Sequence, residues 1–241
     1  MMSMIFSLVI ITQFESGPTD LYNQGNEYYQ QGRYAEAIAA YEQASKNVGS
    51  TKIYYNLGNS YFKQGMFGKA ILNYRKANFL SPRDKDVMHN LDFARNYRVD
   101  KTSARTSPVM QVLLNVFRYL SFYEAEVVTT IFFVIAAAFA SLFIIYRRSI
   151  YCYALVVASV LCMLFFISWQ SWAADTAARH AVVTVSEVSA LSGPGEDYKE
   201  ILVIHDGAEV KLRETRGDYA LIQLPGGVGG WVPAEAIEEI F

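Results

Sequence analysis

The chain has 241 residues, 52 % of them hydrophobic, with 21 Lys and Arg against 23 Asp and Glu and a net charge of −2. Residues 15–107 hold thirteen basic against nine acidic residues, or +4, whereas residues 175–241 hold five against twelve, or −7. Neither part is basic enough for nucleic-acid binding, and the length fits two small domains and a helical hairpin.

Met1–Phe14 is almost wholly apolar and is broken by Glu15-Ser16-Gly17-Pro18. Such a run is too short to span a bilayer and suits the apolar region of a secretory signal. No Lys or Arg precedes it and no small-x-small site closes it. Residues 1–17 therefore read either as a degenerate export signal or as a buried or interfacial segment.

A repeat with a period of 33 follows. Leu21–Tyr28 aligns with Tyr54–Tyr61, Gly32–Ile38 with Gly65–Ile71, and Tyr41–Ala44 with Tyr74–Ala77. Each unit reads as two amphipathic helices joined at a glycine, with small residues where they cross. Units are expected over 18–50 and 51–84, with a capping helix over 84–101 that closes the stack. The pattern resembles the tetratricopeptide repeat, whose signature positions correspond here to Gly25/Gly58, Tyr28/Tyr61, Ala37/Ala70, Tyr41/Tyr74, Ala44/Ala77 and Pro82. The resemblance implies a concave groove for a peptide, lined by Tyr22, Asn26 and Tyr29 and then by Tyr55, Asn56, Asn59 and Phe62. His89, Asn90 and Phe93 stand at its far end. Asparagine can bond both backbone groups of a peptide, and aromatics grip its side chains; ordinary solvated helix positions are the competing reading. Only Lys52 and Lys63 lie near the groove, so the carboxylate-clamping version of these repeats is not expected.

Residues 102–108 read as a linker, and Val109, Val112, Leu113, Val116, Phe117 and Leu120 recur at helical spacing. The segment 108–121 is therefore expected to lie on a membrane surface. Ala125–Tyr146 is 22 residues with Glu126 as its only charge, and Ile150–Ala174 is 25 residues with none. At about 1.5 Å of rise per residue each exceeds a bilayer core of about 30 Å, so transmembrane helices are expected over 122–146 and 150–174. Ser121-x-x-Glu124 reads as a capping box that opens the first of them. Arg147 and Arg148 occupy the loop, whereas the outer flanks offer only Arg118 and Arg179 nearby. The positive-inside rule then places this loop in the cytoplasm and both soluble parts outside it. Tyr119, Phe122, Tyr123, Trp169 and Trp172 would form the outer aromatic belt. Cys152 and Cys162, about 15 Å apart along one helix, cannot pair.

From residue 181 the pattern changes to short alternating segments, Ala181–Val185, Val188–Leu191, Ile201–Ile204, Ala208–Glu214 and Tyr219–Leu224, punctuated by glycine turns. About sixty residues of such strands predict a small all-β barrel. The order Ser192-Gly193-Pro194, Asp206-Gly207-Ala208-Glu209-Val210 and Gly230-Trp231-Val232-Pro233 resembles the bacterial SH3-like domain over 181–241. Leu191 stands where relatives often carry Arg. Trp231 is read as core ahead of a contact residue.

His89, His180 and His205 have no metal-ligand partners at suitable spacing, and no nucleophile or phosphate-loop motif is present. The sequence thus reads as a non-enzymatic protein without metal or cofactor. The order of parts resembles the BatE-like family of the Bat aerotolerance operon in Gram-negative bacteria. That resemblance implies a multi-pass inner-membrane protein with periplasmic domains, a scaffold working beside von Willebrand A-type membrane proteins in a stress-tolerance complex. Peptidoglycan binding through the SH3-like tail is the alternative.

Overall fold

The computed structural model describes residues 17–101 and 107–240. The expected signal segment before residue 17 and most of the expected linker lie outside the described residues. Five helices come first: α1 (Pro18–Gln30), α2 (Tyr34–Asn47), α3 (Thr51–Lys63), α4 (Phe67–Leu80) and α5 (Lys85–Arg95). Their starts follow from local chemistry. Pro18 opens α1 with Asp20 closing back on Gly17, Ser50 accepts from the Ile53 N–H, and Asp84 accepts from the Asp86 and Val87 N–H groups, each relieving orphan donors of a first turn. Helices pair within and between units through fully buried Ala37, Ala44, Ala70 and Ala77. Gly25 and Gly58 face the rings of Tyr41 and Tyr74, where a Cβ would overlap the ring carbons. The tyrosines of the second helices therefore pack flat against the backbone of the first ones.

The capping helix ends at Arg95, short of the expected residue 101. Exposed aromatics accompany its polar residues: Phe93 on the helix and Tyr97 just past its end are 44 % and 50 % exposed.

Helix α6 (Pro108–Phe117) leads into two long helices, α7 (Phe122–Tyr146) and α8 (Ser149–Ala177), both long and apolar enough to cross a membrane. The capping box at α7 forms: Glu124 N–H donates to Ser121 Oγ at 3.3 Å, and Ser121 N–H donates to Glu124 Oε2 at 2.9 Å. The helices run antiparallel about a tight turn in which Arg147 takes a left-handed conformation at φ 53°. Phe132 stacks on Phe165 at 5.4 Å, and the Cys162 thiol lies 3.7 Å from the Thr129 carbonyl oxygen. Val127, Phe133, Val134, Ile144, Val156, Val160 and Met163 stay exposed along the pair. No protein covers this apolar surface among the described residues.

The tail is a seven-stranded antiparallel sheet of β1 (His180–Val183), β2 (Glu187–Leu191), β3 (Glu200–His205), β4 (Glu209–Arg216), β5 (Tyr219–Gln223), β6 (Gly229–Pro233) and β7 (Ile237–Glu239). The spatial order is β3-β2-β6-β5-β4-β1-β7. Its outer strands β3 and β7 are not paired with each other among the described residues, so the sheet is open where closure was expected. Strands β6 and β7 were not expected. Gly229-Gly230 supplies no side chains to alternate, and β7 is only three residues long. Trp231 is buried at 8 % exposure, with the Arg216 guanidinium 5.2 Å above its ring.

The sheet does not stand apart from the repeats. Val182 and Ile240 belong to the same apolar cluster as Ile71, Leu72 and Leu91. Gly68 lets the two parts meet: a Cβ there would collide with Asp206 and with the Val183 carbonyl oxygen, and its N–H donates to Asp206 Oδ2 at 2.9 Å. Asp100 accepts from the His205 N–H at 2.7 Å. Glu209, at the start of β4, receives a two-point contact from Arg95 at 2.8 and 2.9 Å. Arg98 reaches it at 3.1 Å and Arg75 at 3.6 Å.

Burial pushes the Glu209 carboxyl up, but the hydrogen bonds of Arg95 and the charges of Arg95, Arg75 and Arg98 outweigh it and hold the group at about 2. A carboxylate depressed in the docked state contributes stability that is fully present above about pH 4.5, its unperturbed value, and is lost as pH falls toward 2. Asp206 works in the opposite sense, since burial raises it despite the N–H donors of Gly68, Phe67 and Gly207. Comparison with Glu209→Gln isolates the Glu209 contribution. At pH 7 that variant should weaken docking by about 3 kcal/mol, read as faster hydrogen exchange at the Gly68 amide. The gap between variant and parent should close as pH falls from 4.5 toward 2.

Candidate peptide groove

The first helices of the successive units, α1, α3 and α5, place the groove residues. Tyr22, Asn26 and Tyr29 sit on α1, Tyr55, Asn56, Asn59 and Phe62 on α3, and His89, Asn90 and Phe93 on α5. The helical period brings residues three and four apart to one face.

A hydrogen-bonded ladder joins the asparagines and repeats from unit to unit. Tyr41 O–H donates to Asn26 Oδ1 at 2.7 Å, and Tyr74 O–H donates to Asn59 Oδ1 at the same distance. Asn56 Nδ2 donates to Asn26 Oδ1 at 3.0 Å and to Tyr22 Oη at 3.2 Å. One unit on, Asn90 Nδ2 donates to Asn59 Oδ1 and to Tyr55 Oη, both at 3.0 Å. Burial pushes the Tyr41 and Tyr74 hydroxyls well above the ordinary phenol range, with Tyr22 and Tyr55 adding to it respectively, so both stay neutral donors.

From sequence alone, the asparagines are expected either to bond a bound peptide or to be ordinary solvated helix positions. In the structure, the carbonyl of Asn26 and the amide nitrogen of Asn56 face each other, as do those of Asn59 and Asn90. Among the described residues, the Nδ2 groups of Asn26 and Asn59 and the Oδ1 groups of Asn56 and Asn90 make no hydrogen bond. The ladder thus offers donor, acceptor, donor, acceptor in turn across α1, α3 and α5, the alternation found along an extended peptide backbone.

Beyond the ladder is an aromatic shelf. Phe62 packs against Phe67, Phe93 and Tyr97 at 5.4, 5.5 and 5.2 Å, and His89 stacks on Phe93 at 6.3 Å. Phe67 and Tyr97 were not among the residues expected from sequence. Phe67 had a signal: it aligns with Tyr34, which packs on Tyr29 at 5.3 Å as Phe67 packs on Phe62. Tyr97 lies four residues past Phe93 and beyond the end of α5.

The other histidines are engaged elsewhere: His180 Nε2 lies 3.2 Å from Asp175, and His205 Nδ1 lies 3.3 Å from Asp100. Among the described residues no group of three or more His, Cys, Asp or Glu could hold a metal ion.

The model of the tetratricopeptide repeat family matches residues 22–84, from the second turn of α1 to just past the end of α4. The paired helices and their small-residue crossings fit that match. No curated protein matches the chain.

The ladder changes what a substitution should do. Asn59→Ala removes the acceptor of Tyr74 O–H and Asn90 Nδ2 and should cost about 1–3 kcal/mol of stability. Asn59→Asp keeps an acceptor for Tyr74 and Asn90 and exchanges the uncommitted N–H groups for a second carboxylate oxygen, whose charge those two donors partly offset, so it should cost less stability than Asn59→Ala. Circular dichroism melts of the full chain in detergent distinguish the two.

Proposed function

We propose that the protein is a non-enzymatic, membrane-anchored scaffold that captures an extended segment of a partner protein in its repeat groove. The observation that carries this reading is the alternation of uncommitted amide donors and acceptors on Asn26, Asn56, Asn59 and Asn90, ending on exposed Phe93 and Tyr97. Backbone pairing supplies affinity and the aromatic shelf supplies selectivity. Repeats of this kind generally bind proteins.

Membrane anchoring through α7 and α8 is supported by their length and by apolar surface left uncovered by protein. Lipid is the solvent that would satisfy such a surface. The Arg147-Arg148 loop supports a cytoplasmic turn, with the repeats and the sheet on the periplasmic side of an inner membrane. The likeness to BatE-like proteins extends the reading to a stress or aerotolerance complex with von Willebrand A-type membrane proteins as partners. In the same reading the tail is a bacterial SH3-like domain whose sheet serves to brace the repeats.

Two measurements test the proposal. Reporter fusions after residue 107 and after residue 241 should report the periplasm, and one between Arg147 and Arg148 the cytoplasm; a cytoplasmic signal at either outer site refutes the topology. A photo-crosslinking amino acid placed at Phe93 of the full chain in cells should give a discrete protein adduct. Asn59→Asp should reduce that adduct by tenfold or more, as expected for about 1.4 kcal/mol of lost binding. If the adduct is unaffected by Asn59→Asp, the ladder does not hold the partner.

A further inference from the structure

A second site lies on the other side of the repeats. Where α4 and α5 approach α6 and the last turns of α8, they form an open-sided cavity of about 600 Å³, a volume typical of small-molecule sites. Its wall carries four cations, Arg75, Arg83, Lys85 and Arg118, and one carboxylate, Asp175. Phe79, Met88, Leu114 and Trp172 line the remainder with apolar surface, and Asn78 and Asn115 add neutral polar groups.

The one carboxylate is already matched, since Asp175 lies 3.2 Å from both Arg118 and His180. Arg83 pairs with Glu124 at 2.6 Å and lies 5.3 Å over the Tyr119 ring. Arg118 lies 5.0 Å over the Trp172 ring. These contacts hold two guanidinium groups at the cavity wall. Lys85 forms no ion pair among the described residues, and Arg75 Nε, buried without a hydrogen bond, lies 3.6 Å from Glu209, a carboxylate it shares with Arg95 and Arg98. The wall thus carries an excess of fixed positive charge beside an apolar surface.

Its position narrows the choice of ligand. The cavity is lined by Arg118 and Tyr119 just before α7 and by Trp172 and Asp175 in the last turns of α8, the level at which phosphodiesters of a bilayer would lie if these helices span it. Guanidinium forks match phosphate oxygens, and the apolar wall suits the glycerol and upper acyl carbons. A zwitterionic lipid would bring an ammonium group into a surplus of positive charge. We infer that this cavity binds the headgroup of an anionic phospholipid, an inference that rests on the membrane-anchored reading above.

The test uses the full chain in neutral detergent, with phosphatidylglycerol, phosphatidylethanolamine and inorganic phosphate as probes and native mass spectrometry as the readout. Phosphatidylglycerol should be retained about fivefold or more over phosphatidylethanolamine, the factor expected for each basic residue near an anionic lipid surface. Lys85→Glu removes an exposed, unpaired cation, so the fold should survive, and the preference should fall to near parity. Lys199→Glu on the sheet should leave it unchanged. Equal retention of the two lipids by the parent, or a preference that survives both Lys85→Glu and Arg83→Gln, overturns the inference. So does displacement of the lipid by millimolar inorganic phosphate, which would mark the cavity as a soluble-anion site. Alkaline carbonate extraction of cell membranes separates this from the underlying reading. Release of the chain overturns both, whereas a chain that stays in the membrane without lipid preference overturns the lipid site alone.

Discussion

The carboxylate of Glu209 beneath Arg75, Arg95 and Arg98 joins the last part of the chain to the first. An ion pair this enclosed adds little net stability in general, because desolvation offsets much of the attraction. What it supplies is geometry. Arg95 meets Glu209 with two parallel contacts, which fixes direction as well as distance. Any other placement of the sheet would leave three guanidinium groups and a carboxylate without their partners. Such a penalty selects one docked arrangement, and the apolar contact of Val182 and Ile240 with the repeat core holds it there.

Docking decides which face of the repeats is available. The second helix of the second unit, α4, gives its outer side to the sheet at Gly68 and its C-terminal end to the hairpin, where Phe79 meets Trp172 at 5.3 Å and Phe122 at 6.0 Å. Among the described residues, the asparagines of α1, α3 and α5 carry neither contact. The sheet and the hairpin therefore grip the back of the array while the asparagine ladder stays open. A substitution at Gly68 and one at Asn59 should accordingly act on different properties, docking in the first case and groove chemistry in the second.

Much of this was legible in the sequence because it is local or periodic. The repeat shows itself in the 33-residue alignment, the long helices in their unbroken apolar runs, and five of the strands in their alternation. The groove positions follow from helical spacing, which places Asn56 and Asn59 on one face. Spacing does not say what an amide is bonded to. The partners of Asn26 and Asn59 are Tyr41 and Tyr74, each fifteen residues away on the next helix. The docking of the sheet was further from reach, since Arg95 and Glu209 are 114 residues apart. Its trace was the opposite charge of the two ends, +4 and −7, which reports attraction without naming residues. Gly68 also left a mark: it stands where the first unit has Ala35, an exposed position with no sheet above it.

A groove held this way differs from one on a flexible tether. A repeat array joined to a membrane only by a linker would sample many orientations, and each capture event would have to freeze them. Here Arg83 pairs with Glu124, Phe79 packs on the hairpin, and the sheet that follows α8 returns to clasp α4 and α5. The chain leaves the repeats, passes along both long helices and comes back to the same helices, so the groove is fixed at two ends. If α7 and α8 span a bilayer, that closure orients the asparagine ladder relative to the membrane before any partner arrives. A partner anchored in the same membrane would then meet a preset groove, and its own anchoring would raise its effective concentration there. Affinity too weak to matter in solution would suffice between two proteins so confined.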